Sequence, residues 1–177
     1  MKGSKMKRTV ILRFRDLITE EDGTVNEHKK LIDEFGEVWW GWWMRQYESV
    51  PRHLFQELSK AMDSSGHVQA YLFNSGTTKL YSTRIARILV SLTKDDRIST
   101  PDPERSPAYY HRGSYPAWFL LRSLELIDFS DQMFRYDSFP TRPELGGSLG
   151  QLLGQRVPSL EQLRHIDVTL WVVQNGD

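Results

Sequence analysis

The period of hydrophobic residues changes several times along the chain, and each change predicts an element. In "TVILRFRDL" Val10, Leu12 and Phe14 alternate with Ile11, Arg13 and Arg15, the period-two pattern of a half-buried first strand. "VNEHKKLIDEF" places Val25, Leu31, Ile32 and Phe35 at helical spacing. Thr24 and Glu27 are positioned as a capping box before it, and Gly36 as its stop. The segment "EVWWGWWMR", residues 37–45, is expected to be a strand, and "SVPRHLFQELSKAMDSSG" a second helix. Ser49 would cap that helix, Pro51 would sit in its first turn, and Leu54, Phe55, Leu58 and Met62 would form its buried stripe. From His67 the period returns to two in "HVQAYLF" and "TKLYSTRIARILVSL", with "NSGT" at 74–77 as the turn between them. "DDRISTPDPERSPAYYHRGSYP" has too many prolines for a helix and predicts a long loop, after which "AWFLLRSLELIDF" resumes strand character. "RPELGGSLGQLLGQRVP" reads as a glycine-rich connection holding one turn of helix. "PSLEQLRHI" reads as a helix with Ser159 and Gln162 as its capping box, and "DVTLWVV" as a closing strand. No repeat or linker divides the pattern. Strands outnumber helices, so the expected class is α+β: one domain over 9–174, after a basic leader at 1–8, with a strongly curved mixed sheet or small barrel flanked by short helices.

The tryptophan strand carries the first functional expectation. Side chains of a strand point alternately to opposite faces, so Val38, Trp40, Trp42 and Met44 would form a core face and Trp39, Gly41, Trp43 and Arg45 the other. Two indoles flanking a residue without a side chain leave a gap about one ring thick. On this reading Trp39 and Trp43 stack on a flat heterocycle above Gly41, and the Arg45 fork meets a phosphate or base edge. Truncating Trp39 or Trp43 would then abolish binding with the fold intact, whereas Trp40 and Trp42 would be needed for stability. The competing expectation is that all four indoles merely cover a small sheet on both sides.

Composition narrows the chemistry. The 177 residues include six Trp, seven Tyr and eight Phe, an aromatic surplus of the kind that marks binding surfaces, and no cysteine. Without cysteine there is no disulfide framework, thiolate metal site or thiol nucleophile, which fits a reducing cytoplasm. No apolar run is long enough to span a bilayer, so no membrane partner is expected. Twenty-three basic and 23 acidic side chains cancel, which disfavours a protein that holds duplex DNA chiefly by neutralising phosphates. The five histidines stand singly with no metal spacing; His28 and His53 would be surface or interface residues of helices, and His111 lies in the proline-rich loop. "GGSLG" at 146–150 has no strand before it to make a nucleophile elbow, and no phosphate-binding glycine loop occurs. No catalytic residues, metal or cofactor are assigned.

The proline-rich stretch "ISTPDPERSPAYYHRGSYPAWFLLRSLELI", residues 98–127, is the second unusual feature. Pro101, Pro103, Pro107 and Pro116 limit what the loop loses on ordering, so Tyr109, Tyr110 and Tyr115 can be held beside a strand bearing Trp118 as a pocket wall. This segment resembles the EVE domains of the PUA-like superfamily, relatives of the YTH and ASCH domains, which carry a proline- and aspartate-rich stretch with a tyrosine pair before a tryptophan-aromatic strand. "VPSLEQLRHI" followed by "DVTLWVVQ" is similar to that family's capped helix before a final strand. The likeness covers residues 98–127 and 157–174; the opening "TVILRFRDL", helix and WWGWW strand depart from it, and segments of that type look like N-terminal sensor modules of bacterial signalling or defence enzymes. The resemblance implies a PUA-like β-barrel with an aromatic pocket for a base swung out of nucleic acid, often a modified one. Aromatic stacking worth about 1–3 kcal/mol per base offsets the few kcal/mol needed to extrude it.

The first expectation is therefore a non-catalytic domain that binds a nucleobase swung out of a nucleic acid: Trp39, Gly41 and Trp43 form the slot, Tyr109, Tyr110 and Trp118 the wall, Arg45 a polar contact, and Arg13 and Arg15, within a basic set that includes Lys5, Lys7 and Arg8, the phosphate contacts. The alternatives are a small-nucleotide sensor regulating a fused or neighbouring effector, and a protein-interaction module with an aromatic face.

Overall fold

The computed structural model describes residues 7–145 and 149–176. Lys5, most of the basic leader and the first three residues of "GGSLG" lie outside the described residues. In chain order the elements are β1 (Arg8–Phe14), α1 (Gly23–Phe35), β2 (Val38–Gly41), α2 (Arg52–Ser65), β3 (Val68–Asn74), β4 (Lys79–Val90), β5 (Ile98–Ser99), β6 (Ser114–Tyr115), β7 (Ala117–Ile127), β8 (Phe134–Ser138), α3 (Leu160–Arg164) and β9 (Leu170–Asn175). Seven strands form one sheet in the order β2-β7-β4-β3-β1-β9-β8, while β5 and β6 make a separate pair inside the proline-rich loop. The α+β expectation holds, and of its two forms the structure has the mixed sheet: β2 and β8 are its edges and do not close it into a barrel.

The β1–β3 pair is parallel and the other pairings are antiparallel. Parallel neighbours need a long crossover, and α1, β2 and α2 all lie within it. That detour carries the tryptophan segment from the centre of the sheet to its far edge, against β7. β1 is covered on both faces. Val10, Leu12 and Phe14 join a core with Trp40, Trp42, Phe55 and Phe119, and Ile11 joins one on the opposite side with Phe73, Phe134, Leu163 and Trp171.

Several local expectations change. α1 starts at Gly23 behind Asp22, which adopts the left-handed conformation at φ 63° and makes no side-chain cap. The Thr24 hydroxyl instead meets that of Thr19, so the expected Thr24–Glu27 capping box does not form. Pro51 occupies the N-cap position of α2, and the Ser49 hydroxyl reaches Thr141 O rather than capping the helix. Ser159 does cap α3, accepting from Gln162 N–H. β8 was not expected, although Phe134 and Tyr136 are buried and alternate with less buried Arg135 and Asp137. The tryptophan strand is also shorter than its pattern. After Gly41 one more bond joins Trp42 N–H to Ala117 O, and the chain then leaves the sheet.

Trp42 nevertheless stays inside. It is 2% exposed, its ring packs edge-on against Phe55 and Phe119, and its Nε1–H donates to Thr169 Oγ1 at 3.0 Å. Trp42→Ala is expected to lower unfolding free energy by about 3–5 kcal/mol, as other large core truncations do. Equilibrium urea unfolding measures this, and a loss below about 1 kcal/mol would contradict the packing account.

Candidate nucleobase site

The outer face of β2 is built from the glycine upward. A Cβ placed on Gly41 would lie 3.0 Å from both Tyr110 Cε1 and Tyr115 Cδ2, so two tyrosine rings rest directly on its backbone. Tyr110 O–H donates to Gly41 O at 3.2 Å and is fully buried, which pushes its pKa upward. The expected open slot above Gly41 is therefore closed, because the protein's own tyrosines occupy it. Trp39, 5% exposed, packs beneath them with Trp118 and Leu120. Trp118 is buried and edge-on to both tyrosines at 5.1 Å, with its Nε1–H bonded to Ile98 O. Trp39, Gly41 and Trp118 support a wall; none of them faces an opening.

The loop carrying these tyrosines is held by local chemistry. Asp102 accepts from Glu104 N–H and from Arg105 Nη1, fixing a 3-10 turn that starts at Pro103. His111 Nε2 lies 2.8 Å from Pro103 O and 3.0 Å from Ser106 O, where as a protonated nitrogen it donates to both. A second 3-10 turn, Ala108–Tyr110, then presents Tyr109 and Tyr110 side by side with ring centroids 4.6 Å apart.

An aromatic cavity lies next to this wall, on the side facing the β1–α1 connection. Trp40, Trp43, Tyr109 and Tyr110 line it together with Leu17 and Ile18. Arg13 and Arg15 line it too, so cations stand beside a predominantly apolar space. Its volume is about 80 Å³. That is about half the roughly 150 Å³ of an apolar cavity that encloses a benzene ring, so a planar ring would enter edge-first and remain partly in the open mouth. Trp43 is 38% exposed and leans on Tyr115 at 5.4 Å, while Leu17 and Ile18 are 70% and 56% exposed. Exposed apolar side chains grouped around an aromatic cavity are a common feature of binding surfaces.

A family model described as Pua-like matches residues 10–177. The chain belongs to the PUA-like family. No curated protein and no solved structure gives a match. PUA-like domains are generally RNA- or nucleic-acid-binding and typically non-catalytic. The match spans both segments that resembled EVE domains and also the N-terminal half that departed from them.

Two polar anchors shape the cavity of this PUA-like domain. The Asp16 carboxylate accepts from Asp22 N–H, Thr24 N–H and Asn74 Nδ2, holding the loop that displays Leu17 and Ile18. Partial burial opposes its ionisation, yet these bonds keep its pKa below the ordinary value. On the other side, the buried Glu48 carboxylate accepts from Arg45 N–H, Thr169 N–H and the Thr169 hydroxyl. It thereby fixes the chain that leaves β2 against Thr169, itself a lining residue of the cavity. Arg13 donates from Nη1 to Ile166 O at 2.9 Å, which holds its guanidinium at the cavity. Arg45, expected beside Trp43 on a continuing strand, lies beyond the strand end, where its Nη1 stands 3.8 Å from Asp167. It lines a neighbouring cleft instead.

His28 is the residue that sequence reasoning misplaced. Expected at the surface or an interface of α1, it is completely buried, with its ring 4.5 Å from Trp40 and 5.8 Å from Tyr110. Its Nδ1 is 2.7 Å from Thr24 O, so Nδ1 carries the proton and Nε2 is left without a partner. The spacing Val25, His28, Ile32 puts it on the apolar stripe, a signal that its residue type obscured. Burial lowers its pKa from 6.5 to about 4. Between those values the unfolded chain takes up a proton that the folded protein refuses, so this contribution is present above pH 6.5 and lost as pH falls towards 4. Stability should fall by up to about 3 kcal/mol across that window, above the range where Asp16 protonates. Urea midpoints at pH 7 and 4.5 test this; the fall should be reduced in His28→Phe, and an equal fall in both proteins would refute the assignment.

Proposed function

We propose that this PUA-like domain is a non-catalytic reader of a nucleobase, and that the base, swung out of a nucleic acid, enters the cavity beside Trp43 and Tyr109. The observation that supports it is an open aromatic cavity lined also by Arg13 and Arg15. The rings supply stacking that does not depend on base identity, and the guanidiniums suit the adjoining phosphate. In this reading Trp43, Tyr109 and Tyr110 meet the base, with Trp40 at its inner side. Trp39, Gly41 and Trp118 act by holding the tyrosines, and Arg45 serves the neighbouring cleft.

A modified base is the finer form of the reading, since a small alkyl group would find apolar neighbours in Leu17 and Ile18. The zero net charge favours a second reading, a sensor that takes a free nucleotide and regulates a fused or neighbouring effector. Salt separates the two: affinity for a strand falls as salt rises, and affinity for a mononucleotide does so much less.

Trp43→Ala should weaken oligonucleotide binding by about fivefold to 150-fold, from the loss of about 1–3 kcal/mol of stacking, with little change in unfolding free energy. Trp39→Ala, by contrast, should lose stability because its indole is buried. Intrinsic fluorescence titration and urea unfolding of both variants give the two readouts. Unchanged binding by the Trp43 variant would remove the case for this cavity.

A further inference from the structure

A second cleft of about 440 Å³ opens where the chain leaves β2. Arg45, Arg52, Lys94 and Arg97 line it, against the carboxylates of Glu48 and Asp95. Glu48 is buried and already accepts three hydrogen bonds, so it is committed inward. The four cations are exposed. Two of them are shaped by the loop itself: Arg52 Nη1 donates to Ser91 O, and Arg97 Nη1 donates to the carbonyls of Lys94 and Asp96. In a chain of zero net charge this is a local concentration of positive side chains.

The cleft is next to the aromatic cavity. Trp43 lines the cavity, and Met44 and Arg45, which follow it, line the cleft. Two residues of chain span at most about 7 Å, comparable to one extended nucleotide. Arg45 also lies within electrostatic reach of Arg13: the Arg13 pKa is lowered first by burial and then by the charges of Arg45 and Arg15, with Asp167 opposing. Cations therefore run from Arg15 and Arg13, at the cavity, through Arg45 to Arg52, Lys94 and Arg97.

We infer that this cleft is a second subsite for the same ligand, receiving the backbone phosphates next to the bound base, so that the ligand is a single-stranded polynucleotide of several residues rather than a free nucleotide. The inference rests on the base-reading proposal for its first subsite. Charge complementarity selects the occupant, because four exposed cations line the groove with one exposed carboxylate, Asp95, and although Arg45 also stands 3.8 Å from Asp167 at the rim, the balance stays positive. A single strand fits better than a duplex, since the flexible backbone can turn from the cavity into the cleft without the cost of opening and bending a helix.

The test uses the full chain with 5′-mononucleotides, mixed-sequence RNA and DNA strands of three, six and nine residues, and a ten-residue polyglutamate peptide. Affinity should rise from mononucleotide to short strand, and polyglutamate should compete poorly. In Lys94→Gln/Arg97→Gln, mononucleotide binding should persist while strand binding weakens. The slope of log K against log salt should shrink by about 1.4, which reduces the affinity lost between 50 and 200 mM salt by about sevenfold. Trp43→Ala should weaken all nucleotide ligands. If the paired glutamine variant binds strands as the parent does, the second subsite is wrong while the cavity reading stands. If Trp43→Ala has no effect but the glutamine pair does, the cleft stands and the base-reading proposal fails. Equal affinity for mononucleotides and strands, or effective competition by polyglutamate, would overturn the inference.

Discussion

The packing of Tyr110 on the bare backbone of Gly41 is the constraint on which the candidate site depends. Any side chain at position 41 would meet two tyrosine rings at 3.0 Å. With only hydrogen there, the proline-rich loop can close over the outer face of β2 and seal Trp39 and Trp118 beneath it. Tyr110 is then fixed by its hydrogen bond to Gly41 O, and its neighbour Tyr109 is carried to the cavity. The glycine serves the protein's own aromatics, and the open aromatic cavity lies in the adjoining space between Trp43, Tyr109 and the Leu17–Ile18 loop.

Hydrogen-bonded carboxylates, Asp16 half-buried and Glu48 buried, fix that cavity from both sides. Asp16 and Asn74 bind the β1–α1 connection to the β3–β4 turn, where Asn74 Oδ1 also accepts from Gly76 N–H and Thr77 N–H. Glu48 and Thr169 bind the segment after β2 to the start of β9. In each pair one side chain satisfies donors from two separated stretches of chain, so cavity geometry is coupled to sheet assembly. A buried carboxylate left without those donors would be costly, which is why loops with so few apolar anchors can hold a defined wall.

Much of the fold is legible in the sequence because it follows from short-range periodicity. β1, β3, β4, β7 and β9 appear where the alternation places them, and Ser159 caps α3. Alternation also assigned Trp40 and Trp42 to the core, even though the strand ends at Gly41. What was not legible depends on distant residues. That Tyr110 fills the gap over Gly41 requires knowing how a loop nearly 70 positions later folds back, and periodicity carries no such information. The same limit hid His28, whose burial follows from Trp40 and Tyr110 covering it, and it hid the β1–α1 loop, which the site takes up through Leu17 and Ile18. The resemblance of residues 98–127 to EVE domains pointed to the right superfamily, whereas the gap read from WWGWW is filled by Tyr110 and Tyr115.

The six indole N–H groups offer the most direct test, because they sample the wall, the core and the cavity separately. In a heteronuclear NMR titration with a short single-stranded oligonucleotide, the assigned Trp43 indole resonance should shift strongly and show contacts to base protons, while those of Trp39 and Trp118 move little. Base contacts at Trp39 with Trp43 undisturbed would mean that the tyrosines yield and the gap over Gly41 is the true site; no indole shift during saturable binding would place the ligand elsewhere on the protein.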